Sequence, residues 1–155
     1  MTDPETYVDS RRQAVREYIR EYGIRYIDID CAKWTIENMV HGKSISMKKA
    51  DEAYRTLAEM TGEVKPVEGK PIDEWKLDIM KEIDKVKEEE GLQDYQVAEY
   101  MGMNVTNYRV MRKNPLKSRG AGLWNKLKTL KLEDEPEDMY KPKYTSIRQL
   151  WQTVS

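Results

Sequence analysis

The sequence predicts an all-α fold of two small helical domains followed by a C-terminal helix. Apolar residues recur at spacings of three and four through most of the 155 residues, the period of an amphipathic helix. Bulk comes from nine Met, ten Tyr and four Trp with no Phe, a set suited to short helices packed through adaptable side chains. Charged residues make up 35% of the chain, so much of each helix surface faces water.

The first helical period runs from Asp9 to Tyr22, with Val8, Val15, Ile19 and Tyr22 on one face and Gly23 as a stop. Ile24 to Ile29 alternates apolar and charged residues and fits a strand as well as a helix. Trp34 to Val40 is helical again, and His41-Gly42 closes it, His41 reading as a helix-end cap. Ser46 is an N-cap for a helix through Met60 that turns Met47, Ala50, Ala53, Tyr54 and Leu57 inward. Residues 1–62 are thus a first helical domain. Two glycines and two prolines within residues 61–71 mark a linker, placed at residues 63–71.

A second domain, residues 72–131, opens with the clearest stripe in the chain: Ile72, Trp75, Ile79, Ile83 and Val86, with Pro71 suited to its first turn. Short helices are expected near 94–101 and 105–113, and another near 119–131. Residues 132–155 combine an acidic spacer, Glu133 to Asp138, with a terminal amphipathic helix from Thr145.

Net charge is −1, but it is unevenly spread. Asn104 to Lys131 holds eight basic residues (Arg109, Arg112, Lys113, Lys117, Arg119, Lys126, Lys128 and Lys131) and no acid, whereas residues 64–103 hold six basic and eleven acidic. Solvated helix faces normally mix both signs, so this one-signed segment is the footprint of a phosphate-facing surface.

The basic run begins inside a spacing that carries a fold. Ala98 is the small residue needed where two helices cross closely. Four residues on, Gly102 can take a tight turn at positive φ. Met103 follows, Asn104 caps the next helix, and Val97, Met101, Tyr108 and Met111 complete an inner face. At these residues the segment resembles the lambda-repressor and Cro-like helix-turn-helix family, over residues 72–131.

The resemblance implies a helix-turn-helix bundle whose second motif helix lies in the major groove of double-stranded DNA. By position it implies Val105, Thr106, Asn107, Arg109 and Val110 as base-facing residues. It implies Arg112, Lys113, Lys117 and Arg119 as phosphate contacts. Two departures stand out: Gln93 replaces the usual Ser or Thr cap, and Asp94 puts an acid where DNA would be repelled. A fainter echo runs from Trp34 to Leu57, where Thr35, Ile36 and Met39 align with Asn107, Tyr108 and Met111 at one offset of 72. Its front half is poor, with Tyr26 and Asp30 where Ala and Gly belong. Residues 1–62 are read either as a degenerate helix-turn-helix or as an unrelated helical domain that assists assembly, and they are the candidate surface for any protein partner.

Enzyme chemistry is not expected. One His and one Cys cannot make a zinc site, and no Gly-rich phosphate loop or nucleophile elbow is present, so neither metal nor cofactor is expected. Trp75, Trp124 and Trp151 sit at core spacings, and Tyr108 and Trp124 fit a core better than a single-strand stacking platform. The lone Cys31 fits a reducing compartment and reads as packed, no apolar run nears the ~20 residues of a membrane span, and the first residues lack a signal pattern. A cytoplasmic protein without a membrane role is expected. The leading expectation is a sequence-specific duplex-DNA transcription regulator, a repressor or activator of phage or mobile-element origin. The other reading is an interaction protein that binds a host protein or serves as the DNA-gripping subunit of a phage machine. A homodimer is expected through Ile147, Leu150, Trp151 and Val154 of the terminal helix.

Overall fold

Asp3 starts the first helix: its carboxylate accepts the Thr6 N–H at 2.8 Å, and Pro4 takes the first helical position. Helix α1 therefore spans Pro4–Tyr22, beginning earlier than its apolar stripe implied. In this computed structural model, which describes residues 1–131, six further α-helices follow, with no strand among the described residues. They are α2 (Lys33–Val40), α3 (Met47–Thr61), α4 (Ile72–Glu89), α5 (Asp94–Tyr100), α6 (Val105–Lys113) and α7 (Gly120–Lys131). The all-α fold class is as the sequence predicted. The acidic spacer and the terminal helix with Ile147, Leu150, Trp151 and Val154 lie outside the described residues.

By internal contacts the chain divides into two compact units, Met1–Trp75 and the residues from Lys76 onward. In the first unit α1 packs chiefly along α3, with α2 against both. Its core joins Ala14, Val15 and Tyr18 of α1 to Ile36 and Met39 of α2 and Ala50, Ala53 and Leu57 of α3. The ambiguous stretch 24–29 forms a short 3-10 turn, Tyr26–Asp28, and only Ile29 within it is buried. Arg12 and Arg16 satisfy the carbonyls at the end of α2: Arg12 Nη1 donates to Asn38 O and Arg16 Nε to Val40 O at 2.9 Å. His41 is the cap of that helix end, its N–H reaching Glu37 O.

Residues 63–71, expected to be a linker, lie along the first unit. Tyr18 Oη donates to Glu63 O at 2.6 Å, Tyr54 Oη to Lys65 O at 2.6 Å, and Tyr7 Oη to Lys70 O at 2.8 Å. The buried guanidinium of Arg11 donates to Glu68 O, Gly69 O and Lys70 O. Gly69 sits at φ 91° against the Tyr7 ring, where a Cβ would come within 2.7 Å of Tyr7 Cδ2. Glycine and proline here shape a strap fitted to tyrosine and arginine side chains, and the division of the chain falls after Trp75 instead.

In the second unit the stripe of α4 is buried as expected, Ile79 and Ile83 completely and Val86 nearly so. Val97 and Ala98 of α5, Tyr108 and Met111 of α6, and Leu123, Leu127 and Leu130 of α7 are buried too. Helix α5 packs against α6 and α7.

Candidate nucleic-acid interface

The turn between α5 and α6 is built as its sequence requires. Ala98 is buried at the close crossing, and its carbonyl accepts the Met103 N–H at 2.9 Å. Gly102 takes φ 72°, a conformation costly for a residue with a Cβ. Asn104 then caps α6, its side-chain oxygen accepting the Asn107 N–H at 2.8 Å. At the start of α5 the Gln96 side chain accepts the Gln93 N–H at 2.7 Å, replacing half of a Ser or Thr cap.

This frame fixes which face of α6 meets solvent. Tyr108 and Met111 point inward, while Thr106, Asn107, Arg109, Val110 and Lys113 are exposed and Val105 is half-buried. That outer face carries two amide or hydroxyl side chains, two cations and an apolar Val110, with no carboxylate. The buried Tyr108 hydroxyl has no hydrogen-bond partner among the described residues, and burial pushes its pKa up. With Tyr108 inside and Trp124 half-buried, neither offers an open stacking surface.

The expected phosphate contacts divide. Lys113, Lys117 and Arg119 are exposed. Arg112 is committed elsewhere: its Nη1 donates to Met80 O at 3.0 Å and its Nη2 pairs with Asp84, tying α6 to α4. Position alone placed it on the phosphates, but it lies on the half-buried flank of the helix, where an α4 carboxylate and carbonyl are closer than solvent. Lys131 is likewise paired, with Glu82 at 2.8 Å. The remaining six cations of residues 104–131 make no ion pair with a described residue.

Sequence reasoning missed how the connection from α6 to α7 is held. Lys76 of α4, itself buried, donates through Nζ to Leu116 O at 3.1 Å. This pins the 3-10 turn Pro115–Lys117 and with it the positions of Lys117 and Arg119. Between α6 and the start of α7 lies an open groove of about 480 Å³. Met103, Val110, Met111 and Leu123 contribute apolar lining, and Lys117, Arg119 and Lys126 line it with charge.

The acid expected to repel DNA is neutralised inside the unit. Asp94 accepts a 2.6 Å bond from Lys87 Nζ, and that bond holds its carboxyl below the usual aspartate range, with Arg109 and Arg112 adding to the effect.

In the first unit, the positions aligned with α6 behave differently. Thr35, at the offset of 72 from the exposed Asn107, is fully buried, and Glu37 stands where α6 carries Arg109. The short 3-10 turn replaces the first motif helix there. Cys31 is half-buried, and burial raises its thiol pKa. Among the described residues, no helix is long and apolar enough to cross a membrane. Compared with known proteins, the chain matches no family model, no curated protein and no solved structure.

Proposed function

We propose that the second unit binds double-stranded DNA, with α6 laid in the major groove, and that the protein is a sequence-specific transcription regulator. One observation carries the reading: the outer face of α6 has hydrogen-bonding, apolar and cationic side chains without a carboxylate, and exposed cations with no ion pair among the described residues continue from it through Lys117 and Arg119. Asn107 suits an adenine edge, Val110 and the Thr106 methyl suit a thymine methyl, and Arg109 suits guanine. Lys113, Lys117, Arg119 and Lys126 supply the phosphate contacts that set position without reading sequence. Arg112 drops out of that set and becomes a strut between α6 and α4. The first unit serves assembly in this reading, because its α2 offers no comparable exposed polar face. Pairing of two chains through residues 144–154 would present two such helices to half-sites about 34 Å apart.

Selection of bound sequences from random duplex DNA tests the proposal. A preferred site whose contacts are lost in Asn107→Ala and Arg109→Ala supports it. Recovery of no enriched sequence, with retention on DNA independent of salt, overturns it.

A further inference from the structure

We propose that the groove between α6 and α7 seats a short amphipathic helix of a partner protein, apolar on its inner face and acidic on its flanks, and that this helix and duplex DNA exclude each other. The seat follows from the groove alone, whereas the exclusion rests on the DNA-binding reading.

Each wall of the groove is one face of a helix. Asn107, Val110, Met111 and Asn114 line it from α6, and Arg119, Gly122, Leu123 and Lys126 line it from the start of α7. Both sets follow the spacing i, i+3, i+4 and i+7, which puts four residues on one stripe. A stripe of that length covers two turns, roughly 10 Å, and matches a helix of similar length laid between the walls.

The floor is apolar. Met103, Met111 and Leu123 carry it, Val110 stands 58% exposed at its edge, and methionine adapts its shape to its neighbour. A sugar–phosphate strand has no apolar side chain to fill such a floor, whereas leucine-like residues at helical spacing do. Gly122 opens the α7 wall: a Cβ built there meets nothing within 4 Å, so a partner backbone can approach closely. The rim sets the partner's charge. Lys117, Arg119 and Lys126 line the groove, none is ion-paired with a described residue, and no carboxylate lies among the lining residues. Acids on the flanks of the incoming helix complement these cations, and a basic helix is repelled. Asn107 and Val110 are also assigned to base edges, and the three cations to phosphates, so a seated helix removes that surface from DNA.

The experiment presents a displayed library of random helix-forming peptides, about 15 residues long, to the full chain. Enriched peptides are expected to carry apolar residues at i, i+3, i+4 and i+7 with Asp or Glu beside them. The most enriched peptide is then titrated by fluorescence anisotropy against the parent and two variants. Gly122→Leu fills the seat, and its helical backbone position favours a leucine, so its melting temperature should match or exceed the parent's. Its peptide affinity is expected to fall about 10-fold or more. Lys126→Glu reverses one rim charge without filling the floor and is expected to cost about 3- to 10-fold, more at low salt. Added peptide is expected to release bound duplex DNA as its occupancy rises. The seat is overturned by a library without enrichment, by enriched peptides that lack the acids or the apolar stripe, or by equal affinity of either variant and the parent. Simultaneous binding of peptide and duplex overturns the exclusion. Failure of the chain to bind duplex overturns the DNA reading instead, and the peptide titrations still decide the seat.

Discussion

Arg11 Nε donates to Asp51 Oδ1 at 3.0 Å, with both side chains only 1% exposed. The pair joins α1 to α3, and each partner also serves the strap that follows. Arg11 donates to the strap's carbonyls, while Asp51 Oδ2 accepts the Ile72 N–H at 3.1 Å and thereby caps α4. Arg55 adds a second cation to Asp51 at 3.0 Å, and the Arg11 guanidinium lies 3.5 Å from the centre of the Tyr7 ring.

Removing one member of a buried pair leaves an uncompensated charge, so Asp51→Ala should destabilise by about 3–5 kcal/mol. Replacing both, Arg11→Met with Asp51→Leu, should not restore the parent stability, because the carbonyls of Glu68, Gly69 and Lys70 lose their donor. Urea unfolding of the two variants checks this. A loss below about 1 kcal/mol in Asp51→Ala, no more than an ordinary substitution, would show that the pair is dispensable.

At Gly102 the strain is in the backbone alone, since a Cβ there meets nothing within 4 Å. Gly102→Val should therefore cost more than the ~1 kcal/mol of a typical substitution, and Gly102→Asn, which tolerates positive φ, clearly less. Ala98→Leu should cost about 1–3 kcal/mol by forcing α5 from its neighbours. Equal melting of all three variants and the parent would falsify the tight turn.

Arg112 and Arg119 should separate by readout. Arg119→Ala is expected to lower the slope of log affinity against log salt by about 0.9 with little change in stability. Arg112→Ala is expected to leave the slope nearly unchanged and to weaken folding, because its partners are Met80 and Asp84. A reversed pattern in the two titrations contradicts the assignment.

Acid should weaken the second unit. Asp94 and Glu82 are held below their ordinary pKa values, first by hydrogen bonds from Lys87 and Lys131 respectively. A carboxyl with a lowered folded pKa contributes stability that is complete above its unfolded value, near 3.8 for Asp94 and 4.5 for Glu82, and is lost as pH falls through the folded value. Urea midpoints should fall on acidification below about pH 4.5, and the slope should be shallower in Asp94→Asn with Glu82→Gln. Both carboxylates are partly exposed, so the effect is small and fades with salt.

The periodicity of apolar residues located α1 to α4, because burial of one face decides helix placement in small domains, whereas the two 3-10 turns carry no such stripe. Ser46, Asn104 and Gly102 were legible for a different reason: each performs a local task that only a few residue types can do. The Arg112–Asp84 contact was not legible, since it depends on how α6 and α4 are rotated toward each other. The strap was misread because glycine and proline report local backbone freedom and say nothing of what receives the carbonyls. Its signal was present elsewhere. Arg11 and Asp51 each interrupt an apolar stripe, between Tyr7 and Ala14 in α1 and between Ala50 and Tyr54 in α3. Two opposite charges on the inner faces of neighbouring helices point to a buried pair.

The strap has a further consequence for digestion of the native protein. A protease must draw a stretch of chain into an extended, detached form before it can cut. Residues 63–71 have the composition of an easy target, yet Tyr7, Arg11, Tyr18 and Tyr54 hold five of their carbonyls. Cleavage there should wait for opening of the first unit and track its unfolding equilibrium, with Asp51→Ala nicked far sooner than the parent. Rapid cutting of the native parent between Glu63 and Lys70 would mean that the strap detaches by itself.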